Sequence, residues 1–292
     1  MYLSETDERL AGAARERCEA LAIPPAWSNV WISPDADAHL LALGEDDAGR
    51  RQYIYHPEWR AACERAKFAD LTLFAERLPR LRRQVKRMLN SDEHDTLALA
   101  TVIRLLDRAG LRIGKLRGDA SDPAIGATTL SPEHCEIGTT AISLEFTAKA
   151  GRNRTVEVQD ERLAKALGAL VDETEDDELI FETETGRCSA KKVNAFLEDT
   201  MGAPFSAKDF RTWGGSVAAA KVLRDTQTTT ISDLAQAAAD WLGNTPAIAR
   251  ASYIHPTLVE LARADGRSVE LAGPTRLRVD ERYCYGAIAS FD

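Results

Sequence analysis

Apolar positions along the chain switch between a helical and a strand-like period, and the switches mark the elements. Residues 6–22 carry the helical spacing. "IPPAWSNVWISP" breaks it with prolines and leads into a short strand at residues 29–32. "AHLLALGED" and "RRQYIYHP" alternate as two strands do, joined through a turn region at 44–49 as an antiparallel pair. Residues 57–66 read as a short helical link.

The period then turns helical again. Residues 71–90 form a strongly basic helix. "DTLALATVIRLLDRAG" forms a second, with Leu97, Val102, Leu105 and Leu106 apolar and Gly110 near its end. Strand alternation returns in "CEIG", in "AISLEF" (Ile142, Leu144, Phe146) and in "TVEV" (Val156, Val158). "TAKAGRNR" is the hairpin connection between the last two. The remainder is helical. Ser189 caps a helix with Val193, Phe196, Leu197 and Met201 on one face, stopped by Gly202. Ser206 and Asp209 have capping-box spacing for the next helix, and Ser232 caps "DLAQAAADWL", stopped by Gly243. In "LGNTPAIARASYIHP", Thr245 is an N-cap and Pro246 the first helical residue, and Pro256 ends a short helix that presents Tyr253. The layout predicts an α+β fold. A small N-terminal β-containing domain covers residues 1–65, and a larger, mainly α-helical domain with a small antiparallel sheet covers 66–292.

Composition narrows the class. The length of 292 residues suits one large or two ordinary domains, and 44% hydrophobic with 28% charged residues is a soluble globular balance. "MYLSETDERL" has no basic or apolar leader pattern, and no apolar run approaches the ~20 residues that span a bilayer, so a cytoplasmic protein without membrane contact is expected. Cys18, Cys63, Cys135, Cys188 and Cys284 are widely spaced with no CxxC, which predicts a reduced compartment, no disulfide framework and no zinc site. His39, His56, His94, His134 and His255 form no HExxH, which argues against a metal hydrolase. "GLRIGK" has three residues between its glycines and no Ser/Thr after its lysine, so it is not a nucleotide loop.

The net charge of −9 conceals two opposed segments. Residues 48–90 hold eleven Lys/Arg against four Asp/Glu, and residues 172–184 hold eight acids and no base. The acidic run reads as a solvated loop. Overall acidity therefore leaves room for a local basic footprint on nucleic acid.

Five side chains stand at element ends: Arg112 after a helix break, Lys149 in a hairpin turn, Arg211 in the first turns of a helix, Asn244 at a helix start and Tyr253 at a helix finish. Taken singly, each has an ordinary explanation as a solvated, capping or packing group. In the order Arg, Lys, Arg, Asn, Tyr they resemble a type IB DNA topoisomerase of the poxvirus-like bacterial kind. The matching stretches are "IPPAWSNVWISPD", "GRRQYIYHPEW", "LLDRAGLRIGK", "ATTL", "AKAG", "VNAFL", "FSAKDFRTWGGS" and "LGNTPAIARASYIHP", spread over roughly residues 22–258.

The resemblance implies an enzyme that nicks one strand of duplex DNA, holds a 3′-phosphotyrosyl intermediate with a free 5′-OH, lets supercoils relax and reseals. It implies no ATP or other nucleotide, no metal and no other cofactor. Tyr253 would be the nucleophile. Arg112 and Arg211 suit the non-bridging oxygens of the transition state, since guanidiniums are planar and always charged. Lys149 would protonate the leaving 5′ oxygen. Asn244 stands where many relatives carry histidine, and its amide can donate a hydrogen bond but cannot exchange a proton. Gln52, Tyr53 and Tyr55 match positions that touch DNA in the family, Arg50 and Arg51 suit phosphates, and Lys115 and Lys208 are further phosphate candidates. The implied form is a monomer clamped around duplex DNA, associated with the nucleoid.

Two features depart from the family. About twenty residues precede "IPPAW", where relatives commonly have an additional β segment, so a smaller N-terminal sheet is expected. Gly118 stands where relatives often place an aromatic DNA contact. A tyrosine recombinase shares a related Arg-Lys-Arg-Tyr set, but typically has histidine three residues before the second arginine, where this chain has Lys208. A catalytically silent DNA-binding protein of the same fold would lack a catalytic residue, whereas all five positions are filled.

Overall fold

The computed structural model describes residues 9–114, 125–148, 151–176, 178–182, 186–226, 228–264 and 268–290. Lys115, Gly118 and Lys149 lie outside the described residues. The chain divides into two compact units, Met1–Ala69 and Asp70–Asp292.

In the first unit, α1 (Gly12–Ala20) precedes a sheet of β1 (Ser28–Ile32), β2 (Leu40–Glu45) and β3 (Arg51–Tyr55), and α2 (Pro57–Ala69) follows. The sheet is antiparallel in the order β1-β2-β3. The first helix is shorter than its periodicity suggests. Leu21 ends it, Ala22 turns to φ 48° and prolines follow. The alternation in β3 leaves Arg51, Tyr53 and Tyr55 on the exposed face, with the two tyrosine rings stacked at 6.0 Å. The β2–β3 turn is held by Asp46. Its carboxylate accepts from Arg50 Nε (2.8 Å), the Arg50 N–H (3.0 Å), Gln52 Nε2 (2.8 Å) and the Ala48 N–H (3.0 Å). These bonds, that of the Arg50 side chain foremost, hold its pKa well below the usual carboxylate range.

The second unit is helical apart from one small sheet. Its elements are α3 (Leu71–Met88), α4 (His94–Ala109), β4 (Cys135–Ile137), β5 (Ala141–Ala148), β6 (Arg152–Gln159), α5 (Glu161–Asp172), α6 (Ala190–Met201), α7 (Ala207–Asp225), α8 (Ile231–Leu242), α9 (Pro246–Tyr253), α10 (Pro256–Arg263) and α11 (Val279–Ala289). The strands are antiparallel in the order β4-β5-β6. Helix α7 lies at the centre, in contact with α3, α4, α6, α8, α9, α10 and α11. Its buried residues include Phe210, Arg211, Thr212, Trp213, Gly215, Ser216 and Ala219, so most of its circumference is covered, while Val217, Ala218, Lys221 and Asp225 share a more open face. Phe74 of α3 meets Phe205 and Phe210 edge-on at 5.2 and 5.3 Å.

Two expectations are corrected. Helix α8 starts at Ile231, and Thr230 rather than Ser232 is its cap. Thr230 and Asp233 form a reciprocal capping box, a stronger arrangement than a lone serine two residues further on. The acidic run is not a wholly solvated loop. Its apolar residues Ile180 and Phe181 are fully buried, the Ile180 N–H donates to Leu130 O (3.0 Å), and the Cys188 N–H donates to Phe181 O (2.9 Å). The burial of two large apolar side chains outweighs the preference of the flanking acids for water. All five cysteines are free.

A buried ionic cluster ties three helices of this unit together. Arg82 of α3 reaches Asp107 of α4 (2.7 and 2.9 Å) and Glu281 of α11 (2.6 and 2.9 Å). Glu281 also accepts from the Arg278 backbone N–H (2.8 Å) and side chain (2.6 Å). Burial alone pushes the Glu281 carboxyl up. The hydrogen bonds and charge of Arg82, with help from Arg278, outweigh it and bring the pKa from 4.5 to about 2. Removing one member of such a cluster leaves its partners buried and uncompensated. Glu281→Ala is expected to lower the unfolding free energy by about 3–5 kcal/mol, read from urea denaturation at neutral pH. Because the folded pKa is depressed, the Glu281 contribution is complete above about pH 4.5 and is lost as pH falls toward 2. The gap between wild type and variant should therefore narrow over that interval.

Candidate active site

Helix α4 stops at Gly110, whose φ of 58° is left-handed. The chain then runs extended through Arg112. It is fixed there by backbone bonds from the Ala127 N–H to Arg112 O (2.8 Å) and from the Thr128 N–H to Ile113 O (2.8 Å). The Thr128 hydroxyl donates to the same Ile113 carbonyl (2.6 Å). This accounts for the "ATTL" stretch: it is the rail along which Arg112 is laid.

Arg211 sits in the second turn of α7, whose start is set by the capping box of Ser206 and Asp209. Its side chain is buried. It donates to Gly110 O and to Leu242 O (3.2 Å), the ends of α4 and α8, while its Nε is buried without a hydrogen-bond partner.

Helix α8 ends at Gly243, again left-handed at φ 63°, and Asn244 follows. Both polar atoms of the Asn244 amide are buried without a hydrogen-bond partner. Thr245 caps α9 through the Ile248 N–H, with Pro246 as the first helical residue, and Tyr253 is the last residue of that helix. Helix α7 holds the Tyr253 backbone directly. The Ser216 hydroxyl donates to Tyr253 O (3.0 Å) and accepts from the His255 N–H (3.0 Å). A Cβ on Gly215 would lie 3.0 Å from both Tyr253 Cβ and Tyr253 O, so this approach requires glycine.

The electrostatics of the three elements meet at the phenol. The Arg211 guanidinium carbon lies 5.2 Å from the Tyr253 ring centre. Burial pushes the Tyr253 pKa up, but the charge and hydrogen bonding of Arg211, then of Arg112, outweigh it and bring it below 10. Arg211 is itself lowered, chiefly by burial, with the like charge of Arg112 adding to it. Among the described residues, no group of three or more His, Cys, Asp or Glu side chains is placed to hold a metal ion.

The structure thus brings Arg112 and Arg211 to Tyr253, and sets Asn244 two residues beyond the Leu242 carbonyl that Arg211 holds. Lys208 is exposed one turn before Arg211. In the first unit, Tyr53, Tyr55 and Arg51 are exposed, whereas Arg50 and Gln52 are engaged by Asp46. That bond uses one N–H of the Gln52 amide and leaves the other N–H and the carbonyl. A further side chain at the site was missed in the sequence. Arg154 of β6 is buried and donates to Ala109 O (2.8 Å) and Trp241 O (2.9 Å). The signal was its position: Arg154, Val156 and Val158 share the inward face of one strand.

Comparison with known proteins gives the family. A family model described as "Eukaryotic DNA topoisomerase I, catalytic core" matches residues 56–247, and one described as "Bacterial DNA topoisomerase IB, N-terminal domain" matches residues 1–46. A DNA topoisomerase 1B of Acanthamoeba polyphaga mimivirus is 26% identical over 89% of this chain and 83% of its own length. The DNA topoisomerase 1B of Vaccinia virus (strain Copenhagen) is 24% identical over 78% of this chain and 74% of its own. A solved XerA recombinase covers 61% of each chain at 17% identity with a TM-score of 0.39, too slight a likeness to bear on the assignment. With the catalytic-core model matched over most of the chain and the viral enzymes aligned across it, this protein belongs to the type IB DNA topoisomerases, of the poxvirus-like bacterial kind.

Proposed function

We propose that Tyr253 cleaves one strand of duplex DNA by attack on a phosphodiester, with Arg112, Arg211 and Asn244 around the reacting phosphate and Lys149 at the leaving group. The observation that carries this reading is the charge of Arg211 and Arg112 at the phenol, together with two buried, unpartnered groups: Arg211 Nε and, two residues beyond the Leu242 carbonyl that Arg211 holds, the Asn244 amide. A buried donor without a partner costs about 1–3 kcal/mol. Such a cost is expected where a ligand supplies the missing acceptor, and a phosphate oxygen is an acceptor of the right charge.

The chemistry follows from that arrangement. The phenolate oxygen forms the bond to phosphorus as the bond to the 5′ oxygen breaks, leaving a 3′-phosphotyrosyl ester. The two guanidiniums and the amide stabilise the charge gathering on the non-bridging oxygens. The departing alkoxide takes a proton from Lys149, and the same lysine accepts it back on resealing. The ester conserves the energy of the broken bond, so neither ATP nor another cofactor enters. Between cleavage and resealing the free 5′ end rotates and supercoils relax. The exposed aromatic face of β3, with Gln52, Arg50 and Arg51, contacts the duplex from the N-terminal unit, and Lys115 and Lys208 bind phosphates. One copy of the chain clamps the DNA, in the cytoplasm at the nucleoid.

Three outcomes test the assignment. Tyr253→Phe is expected to abolish relaxation of supercoiled plasmid in EDTA without ATP while DNA binding in a mobility-shift assay is retained; relaxation by this variant would remove Tyr253 as nucleophile. Lys149→Ala should slow cleavage of an ordinary strand by about 100- to 10,000-fold, with a much smaller effect on a strand bearing a 5′-bridging sulfur, which leaves without a proton. The third concerns pH. On the sulfur substrate, the cleavage rate should rise with pH and level off below 10, because the phenol is held below its ordinary value. In Arg211→Gln the plateau should move upward, since the larger lowering influence is gone. A wild-type profile still climbing past pH 10 would exclude a depressed tyrosine.

A further inference from the structure

Arg154 is an unusual residue for its place. It occupies the inward face of β6 together with Val156 and Val158, opposite Phe146 of β5, where an apolar side chain would complete the pattern. Removing a guanidinium from water costs several kcal/mol unless it is paired. Yet no carboxylate among the described residues pairs with it. Its partners are backbone carbonyls: Ala109 O at 2.8 Å and Gly110 O at 3.5 Å, at the end of α4, and Trp241 O at 2.9 Å, near the end of α8. Such carbonyls have no partner within their own helix and carry the negative end of the helix dipole. A Cβ on Gly243 would lie 2.7 Å from Arg154 Nε, so the side chain uses space that this glycine leaves open.

The two helix ends held by Arg154 are the ones that lead into the site. Two residues beyond Gly110 comes Arg112, and three beyond Trp241 comes Asn244. Arg211 reaches the neighbouring carbonyls, Gly110 and Leu242. Arg154 and Arg211 therefore fasten the same two helix ends side by side. We propose that Arg154 is a positioning residue for strand cleavage, which holds the segments of Arg112 and Asn244 against one phosphate by joining the ends of α4 and α8. This rests on the reading that Arg112 and Asn244 serve the phosphate. The same cation adds to the positive field there. Burial, with repulsion from Arg211 and Arg112, lowers its pKa from 12.5 to about 10, so it remains charged at neutral pH.

The test is single-turnover formation of the covalent complex on ordinary DNA and on the 5′-bridging sulfur substrate, with DNA affinity measured alongside. Displacement of a reacting group by about 1 Å costs on the order of 100-fold. Arg154→Ala is expected to slow cleavage by about that factor on both substrates alike, with affinity changed by no more than a few fold. The loss should shrink when Arg112 is already Ala, because the two act through one arrangement. Arg154→Lys keeps the charge but has no fork to span two helix ends, so it should regain little. Should Arg154→Ala fail to fold, the lysine variant decides the question through the same measurements. Cleavage at the wild-type rate by either folded variant would overturn the proposal. So would a loss confined to the ordinary substrate, which would instead tie Arg154 to the leaving-group proton and the Lys149 hairpin. Failure of the wild-type protein to form any covalent product would defeat the underlying reading of Tyr253; product from wild type alone isolates Arg154.

Discussion

Arg211 donates to the carbonyls of Gly110 and Leu242, and through those two bonds one side chain of α7 gathers the ends of α4 and α8. Much else follows from this contact. It fixes where the chain leaves α4 toward Arg112 and where it leaves α8 toward Asn244. It also commits most of the Arg211 fork to the protein, so that the Nε left over has one direction to serve. The guanidinium is thus held by backbone acceptors on one side and keeps a buried donor without a partner on the other. Carboxylates in the same place would neutralise the guanidinium and compete with the substrate for it.

The central helix makes this arrangement rigid. Within two turns α7 supplies Arg211, the close approach at Gly215 and the Ser216 hydroxyl that holds the Tyr253 carbonyl. Arg211 and the backbone of Tyr253 are therefore both referenced to one element. The helix is held in turn by packing against seven other helices and, around it, by the ionic cluster of Arg82, Asp107, Arg278 and Glu281. Buried charge of this kind is a weak source of net stability, but losing one partner is costly because it strands the other ion.

Much of this was legible in the sequence, for local reasons. The capping pair Ser206–Asp209, the glycine stops at 110 and 243, and the Thr245–Pro246 start are short-range signals, and they place Arg112, Arg211, Asn244 and Tyr253 at element ends. Where local signals competed, the reading slipped: Ser232 stood nearer the apolar run, but Thr230 had the partner at the right distance, Asp233. The acidic run hid the burial of Ile180 and Phe181, since charge density speaks for a segment's surface and says nothing of two side chains turned inward. Arg154 was hidden by its type, an arginine near a hairpin, although its register with Val156 and Val158 marked it as inward. Arg82 was one of many cations in a basic helix. Nothing near it in sequence distinguishes it, because its partners lie on helices far along the chain.

That last separation has a consequence for how the protein is made. Arg82 and Glu281 are 199 positions apart, so a chain growing on the ribosome exposes Arg112, Arg211 and Tyr253 well before α11 emerges. Until it does, Arg82 lacks one of its two carboxylates, and α3 is tied to α4 through Asp107 alone. A chain shortened before α11 would then carry Tyr253 without the Glu281 end of the cluster. The Arg82–Glu281 tie is therefore among the last contacts that the order of synthesis allows to form.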